Sequence, residues 1–223
     1  MIRKSIISLL LLMLIQVVKV SAQQVSIEGA YINSQYNGMF PFAQSKGGFQ
    51  FGVGYLHPIK DSVLFFKTGL HYLQLDGEGT VNYVNQINQV VLSYQKTQEI
   101  YYLQIPLLLQ CEVPLYDKTR IGFQVGLRGN YLLRAWQNPQ PIGIEHNVSS
   151  NFERFVIGYQ AGVYTKFKLS PIMGLEFSYQ YGSNLTTVQK EASETGFVAH
   201  VFTVGLLYNI KSLFPNKKQE IPN

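Results

Sequence analysis

The sequence predicts an all-β chain folded as an eight-stranded antiparallel up-and-down transmembrane β-barrel. Three observations predict it. Eight segments alternate apolar residues with small or polar ones, the period of a strand whose two faces meet different surroundings. The links between them alternate in length, long at 37–46, 76–98, 134–151 and 183–195, and short at 58–61, 114–119 and 168–172. After the N-terminal segment, no run reaches 18 apolar residues, so the sequence offers no transmembrane helix there. Short turns on one side, longer loops on the other and an even strand number are the layout of a bacterial outer-membrane barrel.

The N-terminal segment explains how the chain reaches that membrane. Arg3 and Lys4 precede an apolar run at 6–18, and Val20-Ser21-Ala22 offers small residues for cleavage. Residues 1–22 therefore read as a signal peptide for Sec-type export, 23–210 as the barrel and 211–223 as a periplasmic tail. Of 18 Lys and Arg residues, Arg3, Lys4 and Lys19 lie in the signal, leaving 15 against 13 acidic residues. The basic residues are scattered, so nucleic acid is not an expected partner. Cys111 is the single cysteine, which excludes an internal disulfide and a Cys-based metal site. The sequence calls for no cofactor, and its HExxH, phosphate-loop and EF-hand patterns are absent.

The eight segments are read in order. In 24–36, Val25, Ile27 and Tyr31 oppose Ser26 and Glu28. In 47–57, Phe49, Phe51, Val53 and Tyr55 oppose Gln50, Gly52 and Gly54. Segment 62–75 is apolar on both faces, and Lys67 indicates that its odd face points inward. If the hairpin joining it to 47–57 centres near Ile59, Gly52 lies roughly opposite Lys67 and Gly54 opposite Phe65. Segment 99–113 sets Tyr101, Leu103, Ile105, Leu107 and Leu109 against Gln104, Gln110 and Glu112. Pro106 shares the polar face, and its missing N–H predicts a bulge or bend. In 120–133, Ile121, Phe123, Val125, Leu127 and Tyr131 oppose Gly122, Gln124, Gly126, Arg128 and Asn130. In 153–167, Phe155 to Phe167 at odd positions oppose Gly158, Gln160, Gly162 and Lys166. The last two segments, 173–182 and 196–210, set Leu175, Phe177, Tyr179, Phe202, Val204 and Leu206 against Glu176, Ser178, Gln180, Thr203 and Gly205.

A soluble exported barrel would turn its apolar faces inward, whereas a membrane barrel turns them to lipid. In 47–57, 120–133 and 153–167 most glycines share a face with Gln, Arg and Lys, as expected where small and large side chains interlock in a narrow lumen. That choice makes outer-membrane lipid the medium around a monomeric barrel. Tyr55, Tyr101, Tyr131, Tyr181 and Tyr208 then stand near strand ends, where aromatic girdles form. Glu28, Lys67, Glu112, Arg128, Lys166 and Glu176 point inward as a polar network, with Lys166 and Glu176 as diagonal partners. Eight strands leave little interior space, so the network reads as a plug. A narrow pore or small-ligand binder is the alternative.

A third reading, a membrane-embedded hydrolase, would use His71 or His200 near the outer rim, with Asp76 close to His71. No motif sets a nucleophile beside either histidine, so the chain reads as non-enzymatic. Loop 76–98 carries Val81, Tyr83, Val84, Ile87, Val90, Val91 and Tyr94, which suits a hairpin rising above the membrane and a surface for protein partners. Loop 134–151, with Trp136, Pro139, Pro141 and Gly143, reads as irregular and as a second contact loop.

Tyr102-Leu103-Gln104-Ile105-Pro106-Leu107-Leu108-Leu109 resembles the central strand of the PorT-like outer-membrane barrels of Bacteroidetes. Residues 122–129, GFQVGLRG, are similar to the glycine-spaced strand after it. Tyr179-Gln180-Tyr181-Gly182 and Gly205-Leu206-Leu207-Tyr208 are similar to the last two strands. The resemblance implies an eight-stranded barrel without catalytic residues and a link to protein secretion.

Overall fold

The computed structural model describes residues 24–37, 44–45, 47–60, 63–84, 90–139, 146–190 and 196–210. The expected signal peptide and the tail lie outside them. Eight long strands follow in chain order: β1 (Gln24–Asn37), β2 (Gly47–Lys60), β3 (Leu64–Val84), β4 (Val90–Tyr116), β5 (Thr119–Pro139), β6 (Phe155–Lys168), β7 (Met173–Asn184) and β8 (Gly196–Asn209). Each pairs antiparallel with its neighbours, and β8 pairs with β1, so the sheet closes on itself. Closure matters in lipid, where an open edge would leave backbone N–H and C=O groups without partners.

The register fixes the size of the barrel. Stepping from pair to pair, Gln24 leads through Leu56, Lys67, Leu108, Gly126, Gln160, Gly182 and Ala199 to Ser34, ten residues further along β1. With eight strands, a stagger of ten tilts each strand by about 40° and gives a radius of about 8 Å. Such an interior is filled by side chains.

The alternation decides which side chains fill it. On β5, Phe123, Val125 and Leu127 are 56%, 48% and 48% exposed, whereas Gln124 and Arg128 are 1% and 2% exposed. The odd residues of β3 turn inward, with Phe65, Lys67, His71, Leu73 and Leu75 all buried. The exterior is an apolar belt bordered by aromatic rings. On one wall Phe49, Tyr72 and Tyr101 follow one another at 6.3 and 5.9 Å, and Arg134 covers the Tyr101 ring at 4.3 Å.

Three local expectations are corrected. Pro106 causes no bulge: it pairs with Arg128, and the register shifts instead at Leu133 of β5, opposite Tyr101/Tyr102, and at Leu115 of β4, between Pro114 and Tyr116. On its other side the β3–β4 ladder lapses between Thr68–Leu107 and His71–Gln104 and resumes in the same register. The proline withholds a donor without inserting a residue, so the ladder weakens locally and the faces stay in phase. The β2–β3 hairpin is centred later than Ile59. Gly52 therefore faces His71 and Gly54 faces Gly69, while Lys67 faces Leu56 and Phe65 faces Pro58. Segment 134–151 is more regular than expected. Its first residues extend β5 to Pro139, and His146–Asn147 pairs with Trp136 and Gln137. The 76–98 segment is strand at both ends, since β3 and β4 stay paired as far as Val84 and Val90.

Gly52 shows how tightly the inner wall is fitted. A Cβ there would collide with the His71 ring and the Leu70 carbonyl. Gly52→Ala is expected to destabilise the barrel by about 1–3 kcal/mol, the usual cost of overpacking. Denaturant titration of the vesicle-folded protein measures it.

Candidate functional site

The lumen holds two layers of different chemistry. The lower layer, toward the short turns, is ionic. Lys166 and Glu176 occupy opposed positions on β6 and β7, directly paired rather than diagonal. Their ends are 3.8 Å apart, because each has a closer partner. Lys166 Nζ lies 2.7 Å from Glu112 Oε2, and Lys67 Nζ lies 2.7 Å from Glu176 Oε1 and 2.8 Å from Glu28 Oε1. Arg120, whose side chain is partly open at the mouth, lies 2.7 Å from Glu112 Oε1. The line Arg120–Glu112–Lys166–Glu176–Lys67–Glu28 thus climbs from the mouth into the barrel with three cations and three carboxylates. Buried charges require such pairing, since each ion removed from water costs several kcal/mol.

Neighbouring groups satisfy several of the remaining lone pairs and protons, although Glu176 Oε2 accepts no hydrogen bond from the described residues. Ser26 Oγ donates to Glu28 Oε1, Tyr164 OH donates to Glu112 Oε2 at 3.3 Å, and Lys166 Nζ donates to Gln110 Oε1 at 3.3 Å. Gln110 Nε2 donates to Gln124 Oε1 at 2.8 Å, carrying the network round the wall. Small residues make the room. A Cβ on Gly122 would stand 2.6 Å from Tyr164 Cζ, and one on Gly54 would stand 2.6 Å from Glu28 Oε1. Below this layer a vestibule of about 340 Å³ opens at the short-turn end, where Glu112, Arg120 and Lys166 meet Pro58 and Lys118.

The upper layer is apolar and was not foreseen. Ile32, Leu73, Leu75, Ile100, Tyr102, Leu132, Ala135, Val156, Phe197, Ala199 and Val201 pack across the lumen. Phe152 and Val188, from the segments linking β5 to β6 and β7 to β8, close it from above. Backbone bonds sew these segments together: Glu153 N–H donates to Val188 O at 2.8 Å and Lys190 N–H to Asn151 O at 3.1 Å. The apolar residues on both faces of β3 were the available signal. Phe152 and Val188 carried none, because a loop's inward fold leaves no period in the sequence.

Arg128 stands apart from the ion line. It is buried between the layers, with its guanidinium 5.0 Å from the Phe197 ring centroid. The structure does not bring His71, Asp76 and His200 together. His71 lies inside the barrel rather than at the rim, 2.9 Å from Gln50 Nε2 through Nδ1 and 3.5 Å from Glu28 Oε2 through Nε2. Asp76, an even residue of β3, is on the opposite face and accepts a bond from Gln74 Nε2 at 2.9 Å. His200 pairs on β8 with Tyr181 of β7, and its Nδ1 is 2.7 Å from the Tyr179 hydroxyl. Among the described residues no group of three His, Cys, Asp or Glu side chains is set to hold a metal.

A closed sheet, an apolar belt outside and ion pairs within describe a membrane barrel, and comparison supplies its family. The family model for the outer membrane protein beta-barrel domain matches residues 18–188. The chain belongs to this family. Its residence is the outer membrane, where its belt is embedded in lipid. Among solved structures, it is similar to Neisserial surface protein A (NspA), with 12% identity and a TM-score of 0.52, over 85% of this chain and 99% of that one. Ail, the attachment invasion locus protein of Yersinia pestis, aligns over 84% of this chain and 100% of its own at 12% identity and a TM-score of 0.41. The outer membrane protease OmpT of Escherichia coli aligns over 86% and 97% at 9% identity and a TM-score of 0.40. The likeness to NspA is one of fold. A search of curated proteins finds no match.

Proposed function

We propose that this family member is a non-enzymatic, non-conducting barrel that holds a protein-binding platform at the cell surface, as a scaffold or interaction partner. The filled lumen carries this reading. An ion-paired layer and an apolar layer lie in series along the axis, and a solute would have to displace both. The partner surfaces are the hairpin of 76–98 and the segment 134–151, which rise from the end opposite the short turns. The resemblance of 102–109 to PorT-like barrels suggests protein secretion as the setting. Residues 1–22 would be removed on export, and 211–223 would remain in the periplasm.

Two measurements test the reading. In planar bilayers the purified protein is expected to give no stable conducting level; large steady openings would overturn the closed-barrel assignment. Pull-downs from native outer membranes should recover partners with the full chain and lose them when residues 79–95 are replaced by a short turn. An unchanged set of partners would remove the hairpin from the proposal.

A further inference from the structure

Arg128 is 2% exposed and forms no ion pair among the described residues. Two of its nitrogens, Nε and Nη2, donate to no atom of the described residues. These are the nitrogens on the lateral edge of the guanidinium, whose parallel N–H bonds match the two oxygens of a carboxylate or phosphate. Among the described residues no carboxylate pairs with it, and the nearby Asn184 has both amide atoms, the acceptor Oδ1 and the donor Nδ2, buried without a partner. Arg128 faces Gly158 on β6, and Gly158 faces Asn184 on β7, so the three lie in one row across the wall. A Cβ on Gly158 would stand 2.8 Å from Arg128 Nε and 3.2 Å from Asn184 Oδ1, which places the guanidinium and the amide over the same bare patch of wall. Gly182 provides a second such patch, 3.1 Å from Nη1 by the same measure. Asn130, fully buried two residues along β5 on the same face, gives its Oδ1 to Gln104 and leaves Nδ2 free.

We propose that Arg128, Asn130 and Asn184 form an internal site for a small oxyanion, a carboxylate or phosphate, held within the plug between its two layers. The guanidinium edge grips two oxygens, and the two amide groups donate to the same anion. Phe197, against the guanidinium face, belongs to the apolar layer and shields the pair from water, which strengthens it. The acids of the ion line are matched by their own cations, so among the described buried residues Arg128 is a cation without a matching acid. This inference goes beyond the scaffold reading and does not require it.

The test is isothermal titration of the detergent-folded, full-length protein with sodium phosphate and, separately, sodium acetate, with chloride holding the ionic strength constant. Saturable binding at one site is expected for at least one of them, and the two arms tell a phosphate from a carboxylate. Asn184→Asp brings an internal carboxylate to the free guanidinium edge. It should weaken binding at least about tenfold, as should Arg128→Met through loss of a charge-assisted contact. If Arg128→Met fails to fold, Asn184→Asp decides. The absence of saturable binding by either anion, or equal binding by Asn184→Asp, would overturn the site and leave Arg128 as a cation solvated by water.

Discussion

Lys67→Met is expected to destabilise the barrel by about 3–5 kcal/mol, the cost of leaving buried carboxylates without their cation. Lys67 is 1% exposed and stands between Glu28 and Glu176, at 2.8 and 2.7 Å. Its loss leaves the line with three carboxylates and two cations. Glu28 would retain Ser26 and a histidine at 3.5 Å, and Glu176 a lysine at 3.8 Å. Adding Glu28→Gln restores the balance, so the double variant should be more stable than Lys67→Met alone. Guanidinium titration in lipid vesicles, followed by the heat-modifiable gel shift, gives both values. A Lys67→Met barrel as stable as the parent would mean that the carboxylates are not held by this cation.

The second large effect lies on the other face of the wall. Val125→Lys should cost roughly 2–4 kcal/mol, because a charge then projects into the apolar belt near its midplane. Gln124→Met, one residue away, should cost about 1 kcal/mol, the value of the bond Gln124 accepts from Gln110. The same titration compares them. If Val125→Lys proves the milder change, the outward face is not in lipid.

Strand positions and faces were legible because side-chain alternation is local, and β5 displays it from Ile121 to Leu127. Register was less so. A hairpin centred near Ile59 sets Gly52 opposite Lys67, whereas it faces His71, because the β2–β3 turn lies later. A shift by an even number keeps every face correct, so alternation cannot report it. Contacts across the lumen were hidden more deeply. Lys67 and Glu176 are 109 residues apart on non-adjacent strands, and only the stagger of the closed sheet brings them to one level. Inward position alone left Lys166 matched to Glu176, while its closest carboxylate is Glu112. The loop residues Phe152 and Val188 escaped for a similar reason, since their burial depends on two segments meeting over the mouth.

The tall β3–β4 hairpin also bears on how the barrel enters its membrane. A loop that ends outside must first be carried across the hydrocarbon from the periplasmic side. Each Lys or Arg taken through the midplane costs about 2–4 kcal/mol. From Gly79 to Gln95 this chain has no Asp, Glu, Lys, Arg or His. The hairpin that includes the longest described strand is therefore inexpensive cargo. Paired strand against strand, it also keeps much of its described backbone from lipid, which suits it chemically to cross.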